Sequence, residues 1–213
     1  MDDSLWRHAE KARAEVLSGT LRGQALLDVL RSIPPFDRDA WVDALLEIEE
    51  LPLDDCWLPP GSVPYLPCGV EEIVATVLDA PLKPDGHLVV LGSGLGRAAI
   101  LAHLLSGSRV SGIEIQQHLV DSARTRCAAL GLPLSFAHAN ATEVELHGST
   151  FFLYAPFNGD PLRRVLSRLE TLARRRPIVI CAVGLEFHEA WLTPRPTSCV
   201  ALTIYDSCGA GTT

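Results

Sequence analysis

Gly92, Gly94 and Gly96 stand at alternate positions directly after the apolar run Leu88-Val89-Val90-Leu91. Glu114 closes a second strand-like run, Arg109-Val110-Ser111-Gly112-Ile113, 20 residues beyond Gly94. Without a Cβ, a chain at the three glycines turns tightly and lets a ligand approach the backbone. A carboxylate at the tip of the second strand is placed to accept hydrogen bonds from ribose hydroxyls. Loop, following helix, second strand and terminal acid, in that order, predict a nucleoside site. The prediction requires Glu114 and the glycine loop to share one end of a sheet with an open crevice between them.

A second constellation is Tyr154-Ala155-Pro156-Phe157-Asn158, after the strand-like segment 150–153. In open α/β sheets chemistry sits outside the carboxyl ends of the strands, which assigns Tyr154 and Asn158 to the reaction centre. An aromatic and apolar rim there disfavours the charged form of an acceptor amine and so favours its nucleophilic form. Tyr65 is placed to fold over the ligand, because it lies in a connector that runs straight into the glycine-loop unit. His188, after the fifth strand, is a weaker candidate for a base. His138 reads better as a hydrogen-bonded residue at a strand end.

The elements that must hold these residues follow from periodicity. Apolar residues near helical spacing predict helices at 4–17, after Thr20 as a cap, and after Asp37 as a cap with Trp41, Leu45 and Ile48 on one stripe. Ile33-Pro34-Pro35 separates the last two. Prolines at 52, 59, 60, 64 and 67 make 51–68 an extended connector. Strands at 88–91, 109–114, 134–138, 150–154, 178–183 and 199–205 alternate with helices at 71–78, 98–105, 116–130 and from Pro161 onward. Residues 191–196 read as a loop. The alternation predicts a Rossmann-like, doubly wound, mostly parallel α/β sheet over 61–213, preceded by a helical cap over 1–60.

The spacing G-x-G-x-G departs from the nicotinamide fingerprint, and Arg97 occupies the place of the expected small residue. It resembles motif I of the class I S-adenosylmethionine (AdoMet)-dependent methyltransferases. The resemblance extends through Gly112-Ile113-Glu114-Ile115, Ala139-Asn140-Ala141-Thr142 and the 151–158 segment, over roughly residues 61–206. It implies S-adenosyl-L-methionine as cofactor, held by Gly92, Ser93, Gly94 and Gly96. Glu114 and Ile115 would face the ribose, Asn140 and Ala141 the adenine, and Tyr154 the sulfonium, with Tyr65 above. Val63-Pro64-Tyr65-Leu66-Pro67, followed by a short helix, L-G-S-G-x-G-R and G-I-E-I, is similar to the Dot1-like group and the mitochondrial lysine methyltransferases. That narrower resemblance implies a nitrogen acceptor on a protein, with a small molecule as the rival. Two positions depart from the family pattern. Val90 stands where an Asp anchors the loop, and Asn140 stands for an Asp that meets the adenine amino group. The first departure keeps open a different reading, a lapsed enzyme acting as a binding module through its acidic cap.

Composition sets the outer limits. Of 213 residues, 47% are hydrophobic and 21% charged, as expected of a globular domain. The net charge of −8 is concentrated in residues 1–60, which carry 6 basic and 13 acidic side chains. Such a balance disfavours a polyanionic partner, so no nucleic acid is expected. No apolar run reaches membrane-span length and no leader opens the chain, so a cytoplasmic protein without membrane partners is expected. Six cysteines without metal or pair spacing are expected to be reduced structural thiols. No acidic cluster suggests a metal. The arginines at 163, 164, 168 and 174–176 read as a solvated helix face.

Overall fold

The computed structural model describes residues 3–208 apart from 81 and 84; the tail 209–213, expected to be loose, lies outside them. Seven strands form one sheet: β1 (His87–Leu91), β2 (Arg109–Glu114), β3 (Ser135–His138), β4 (Thr150–Tyr154), β5 (Val179–Val183), β6 (Leu192–Arg195) and β7 (Leu202–Ser207). Their order is β3-β2-β1-β4-β5-β7-β6. The first five run parallel, and β7 is antiparallel to both β5 and β6. The strand order reverses between β1 and β4, which opens a crevice at their carboxyl ends.

Parallel strands are covered on both faces, which is why β1, β4 and β5 are almost continuously apolar. Their alternate residues feed two cores. Leu88, Val90, Phe152 and Cys181 pack toward α4 (Val70–Asp79), α5 (Arg97–Ser106) and α6 (Gln117–Ala129). Val89, Leu91, Leu153 and Ile180 pack toward α7 (Gly159–Ala173). The N-terminal helices α1 (Asp3–Leu17), α2 (Gly23–Ser32) and α3 (Arg38–Leu45) belong to the first core. Fully buried Trp41 donates its indole N–H to His8 Nδ1 at 3.2 Å. The tryptophan is therefore core and not pocket wall.

Local expectations fail where a neighbour outbids the cap or breaker. Thr20 does not start α2; its hydroxyl turns back to the Glu15 carbonyl at 3.1 Å and closes α1, and Arg22 precedes α2 without a side-chain cap. Asp37 precedes α3 but makes no capping bond, and the helix ends before Ile48. The segment 191–196 is not all loop. It holds β6, which among the described residues is an edge strand with β7 alone beside it and so tolerates Pro194. The last strand begins at Leu202, later than expected, and α7 begins at Gly159, two residues before Pro161.

All six cysteines are free. Burial pushes the Cys181 thiol up to about 12 and Cys127 up to about 11, so both stay protonated and unreactive. Among the described residues no helix is long and apolar enough to cross a membrane.

His87, at the start of β1, faces Ser111 Oγ at 2.8 Å. Burial, with Arg109, Arg176 and His147 nearby, holds its imidazole below the usual histidine range. The unfolded chain then binds a proton that the native state refuses, so stability falls as pH drops below about 6.5. Urea midpoints of the wild type and His87→Gln between neutral and acidic pH are expected to converge toward the acid end. Parallel curves would remove His87 as the cause.

Candidate active site

The glycine loop takes its shape from three left-handed backbones, Gly92 (φ +73), Gly94 (φ +51) and Gly96 (φ +84). A Cβ on Gly92 would lie 2.3 Å from Pro156, and one on Gly94 would lie 2.2 Å from the Tyr65 ring. Each position thus needs glycine twice, for the turn and for the close neighbour. Gly96 caps α5 and would press on Ala123 and Phe136, so it serves helix–strand packing. Ser93 is buried, and its side chain lies where a Cβ on Gly112 would fall, so its hydroxyl points under the loop rather than into the crevice.

Glu114 joins the two halves of the expected site. Its Oε2 accepts the Gly94 N–H at 2.9 Å. Its Oε1 accepts the N–H groups of Ile115 at 2.7 Å and Gln116 at 3.0 Å. The carboxylate is 93% buried yet lines the cleft. Val90 points into the first core. Glu114 therefore does the loop-anchoring that the β1 acid does in the family pattern.

Between loop, β2 tip and β4 tip lies a cleft of about 420 Å³, within the range of small-molecule sites. Tyr65, Gly92, Glu114, Ile115, Asn140, Ala141 and Tyr154 all line it. Three further expectations change. Asn158 does not line the cleft; it is exposed at the N-cap position of α7, and its backbone N–H reaches the Gly61 carbonyl at 2.8 Å. Asn140 lines the cleft, but its Oδ1 already accepts the Thr142 N–H at 3.0 Å and the Thr142 hydroxyl at 2.8 Å. With both lone pairs engaged, that oxygen has no place for an adenine amino group. His188 is exposed and outside the lining. His138 ends β3 with Nε2 2.9 Å from the Ile115 carbonyl, a strand-end bond as expected.

The proline-rich connector forms one wall. Ser62 bridges Phe157, and the Val63 N–H reaches the Pro156 carbonyl at 3.0 Å. Ala155, with φ +37, supplies the turn that brings these segments together; such strain in a non-glycine residue gathers at functional sites. The other end of the connector is tied to the β2 tip by residues the sequence reading did not select. Buried Gln116 accepts the Asp55 N–H at 2.7 Å and donates to Asp54 Oδ1 at 2.7 Å, which also accepts the Tyr65 N–H at 2.9 Å. Tyr65 is held over the loop, and burial pushes its phenol up to about 12. Burial also raises the Tyr154 phenol, with Cys68, Glu72 and Asp39 adding to it. Both rings stay neutral at physiological pH.

Arg97 is the other missed residue. Its guanidinium lies 2.7 Å from Asp39 Oδ1 and 3.0 Å from Asp43 Oδ1, and it donates to the Cys68 carbonyl. It ties α3 and the connector to the first residue after the glycine loop. The one sequence signal was a charged residue where a small one was expected. Among the described residues no group of three His, Cys, Asp or Glu gathers as a metal site.

No family model matches the chain. Over 128 residues it is 35% identical to a protein-L-isoaspartate O-methyltransferase of Methylorubrum extorquens, covering 57% of this chain and 50% of that protein. A second protein of that name, from Methylorubrum populi, is 34% identical over 131 residues, covering 58% and 55%. The chain thus spans about half the length of the curated relatives it matches. Among solved structures, an RNA methyltransferase from Salinibacter ruber in complex with S-adenosyl-L-homocysteine superposes with a TM-score of 0.51 at 20% identity, covering 70% of this chain and 97% of that one. The PH0226 protein of Pyrococcus horikoshii gives 0.53 at 14% identity, covering 65% and 89%. Strand order, glycine loop and these superpositions agree: the chain has the fold of the class I AdoMet-dependent methyltransferases.

Proposed function

We propose that the protein transfers a methyl group from AdoMet to a side chain of another protein. The observation that carries this is the bond between Glu114 and the Gly94 amide on the floor of an open cleft at the reversal of strand order. Gly92, Glu114, Ile115 and Ala141 hold the nucleoside, with Tyr65 across the loop. When bound, AdoMet supplies a methyl carbon on a positively charged sulfur, and its transfer leaves S-adenosylhomocysteine.

The residues of the chain do the rest. Ala155, Pro156 and Phe157 exclude water beside the β4 tip. The neutral Tyr154 ring offers its face to positive charge and its hydroxyl to the acceptor. Methyl transfer is a displacement at carbon, so holding the two reactants in line lowers the barrier, by up to about 7–11 kcal/mol for well-held reactants. Both curated relatives are named as protein methyltransferases, which supports a protein acceptor. Their name points to a carboxylate oxygen, and the resemblance to lysine methyltransferases points to a nitrogen.

Calorimetric titration of the protein with AdoMet tests the first step; no heat up to about 1 mM AdoMet overturns the reading. Incubation with radiolabelled AdoMet and extracted protein tests the second. A label lost in mild base identifies an ester, and a label retained identifies an N-methyl product. Label found only in small molecules would refute the protein acceptor.

A further inference from the structure

The two ends of the cleft differ in charge. At the β2 end the charged side chains are Glu114, held by three backbone N–H groups, and Glu143, whose Oε1 accepts from Asn140 Nδ2 at 2.9 Å. At the β4–β5 end they are Asp160 and Arg164. Asp160 is paired with Arg163. Arg164 lines the cleft and has no ion pair or side-chain hydrogen bond to any described residue. Other arginines of α7 and of the turn after it are occupied. Arg168 donates to the Val144 carbonyl, Arg174 pairs with Glu170 at 2.8 Å, and Arg176 donates to the Gly148 carbonyl at 2.9 Å. A cation on a pocket wall without a partner is available to a ligand. The same cleft has an apolar lining that includes Val63, Leu66, Phe157 and Val183.

We propose that Arg164 determines acceptor specificity by holding a carboxylate of the acceptor as a handle, beside an apolar body, while a different atom of the acceptor is methylated. The proposal rests on the AdoMet reading of the β2 end. A guanidinium fork matches a carboxylate. The same fork draws charge from the carboxylate oxygens, which makes them poor nucleophiles, so the held group is not the one that attacks. Asp160 beside Arg164 favours a monoanion over a phosphate dianion, because like charge repels in proportion.

The test uses the full chain saturated with S-adenosylhomocysteine and four probes: hydrocinnamate, hydrocinnamamide, phenylpropylamine and phenyl phosphate. Hydrocinnamate is expected to bind about tenfold more tightly than the amide or the amine. Arg164→Ala is expected to remove that difference, and Arg164→Lys to restore part of it. Both variants should bind S-adenosylhomocysteine as the wild type does. With AdoMet present, hydrocinnamate should yield no methyl ester. Equal binding of the acid, amide and amine, an unaltered preference in Arg164→Ala, or no binding of hydrocinnamate up to about 10 mM would overturn the handle. Tighter binding of phenyl phosphate would replace carboxylate by phosphate, and methyl ester formation would make the held group the nucleophile. Failure to bind S-adenosylhomocysteine would instead overturn the cofactor reading itself.

Discussion

Glu114→Ala is expected to weaken AdoMet binding by about ten- to a hundredfold. Three backbone N–H groups leave one lone pair, on Oε2, for a ribose hydroxyl, and a hydrogen bond to a charged group contributes about 1.5–3 kcal/mol. The same change removes the acceptor for the Gly94, Ile115 and Gln116 amides. Donors left without an acceptor at a buried site cost stability, and water entering the cleft restores part of it. Unfolding free energy should therefore fall by about 2–4 kcal/mol. Glu114→Gln separates the two effects. Its single oxygen keeps part of the amide set, while its NH2 must face a donor. It should fold better than Glu114→Ala and bind nearly as poorly. Calorimetry with AdoMet, paired with urea unfolding, measures both. Binding by Glu114→Ala within about threefold of the wild type would show that the carboxylate holds the loop and not the ligand, since a single charged hydrogen bond already exceeds that difference.

Arg97→Met carries the second-largest expected effect, on stability. The guanidinium is buried with Asp39, Asp43 and the Cys68 carbonyl around it. Removing one partner of such a cluster leaves buried charge without compensation and costs about 3–5 kcal/mol. The lower end applies here, because Asp39 is largely open to solvent and its attraction is screened. Burial already raises the Asp43 carboxyl above its usual range, and Arg97 pulls it back down. Without Arg97 it should rise further. A carboxyl raised in the folded state binds a proton that the unfolded chain releases, so the variant regains stability as pH falls toward the ordinary aspartate range. The deficit relative to wild type should thus be larger at pH 7 than near pH 5, read as urea midpoints at about those two values. A deficit independent of pH would assign the loss to packing. Because Arg97 directly follows the glycine loop, weaker AdoMet binding should accompany the loss.

Much of the molecule was legible in the residues alone. Apolar runs of strand length, alternating with helical patterns, set the parallel sheet. The spacing of Gly92, Gly94, Gly96 and Glu114 located the glycine turn and the carboxylate that meets it at one end of the cleft. These features are local, since a run of apolar residues must be buried and three glycines must turn. The short edge strand β6 was hidden by Pro194, whose cost vanishes because β7 is its sole neighbour among the described residues. Thr20 and Asp37 looked like caps, yet capping depends on where a hydroxyl or carboxylate can turn, which neighbours decide.

The sequence by itself determined the fold class, the loop and the acid that faces it, because each follows from backbone sterics and burial within a few residues. Only the tertiary structure decided which side chains reach the cleft. It removed Asn158 to the surface, occupied the Asn140 oxygen with Thr142 and left Arg164 without a partner among the described residues. It tied Asp54, Asp55 and Gln116 into a latch and buried Arg97 between two aspartates. Each of these outcomes rests on partners distant in the chain, and a hydrogen-bonding group is free or engaged only with respect to the atoms that folding brings beside it.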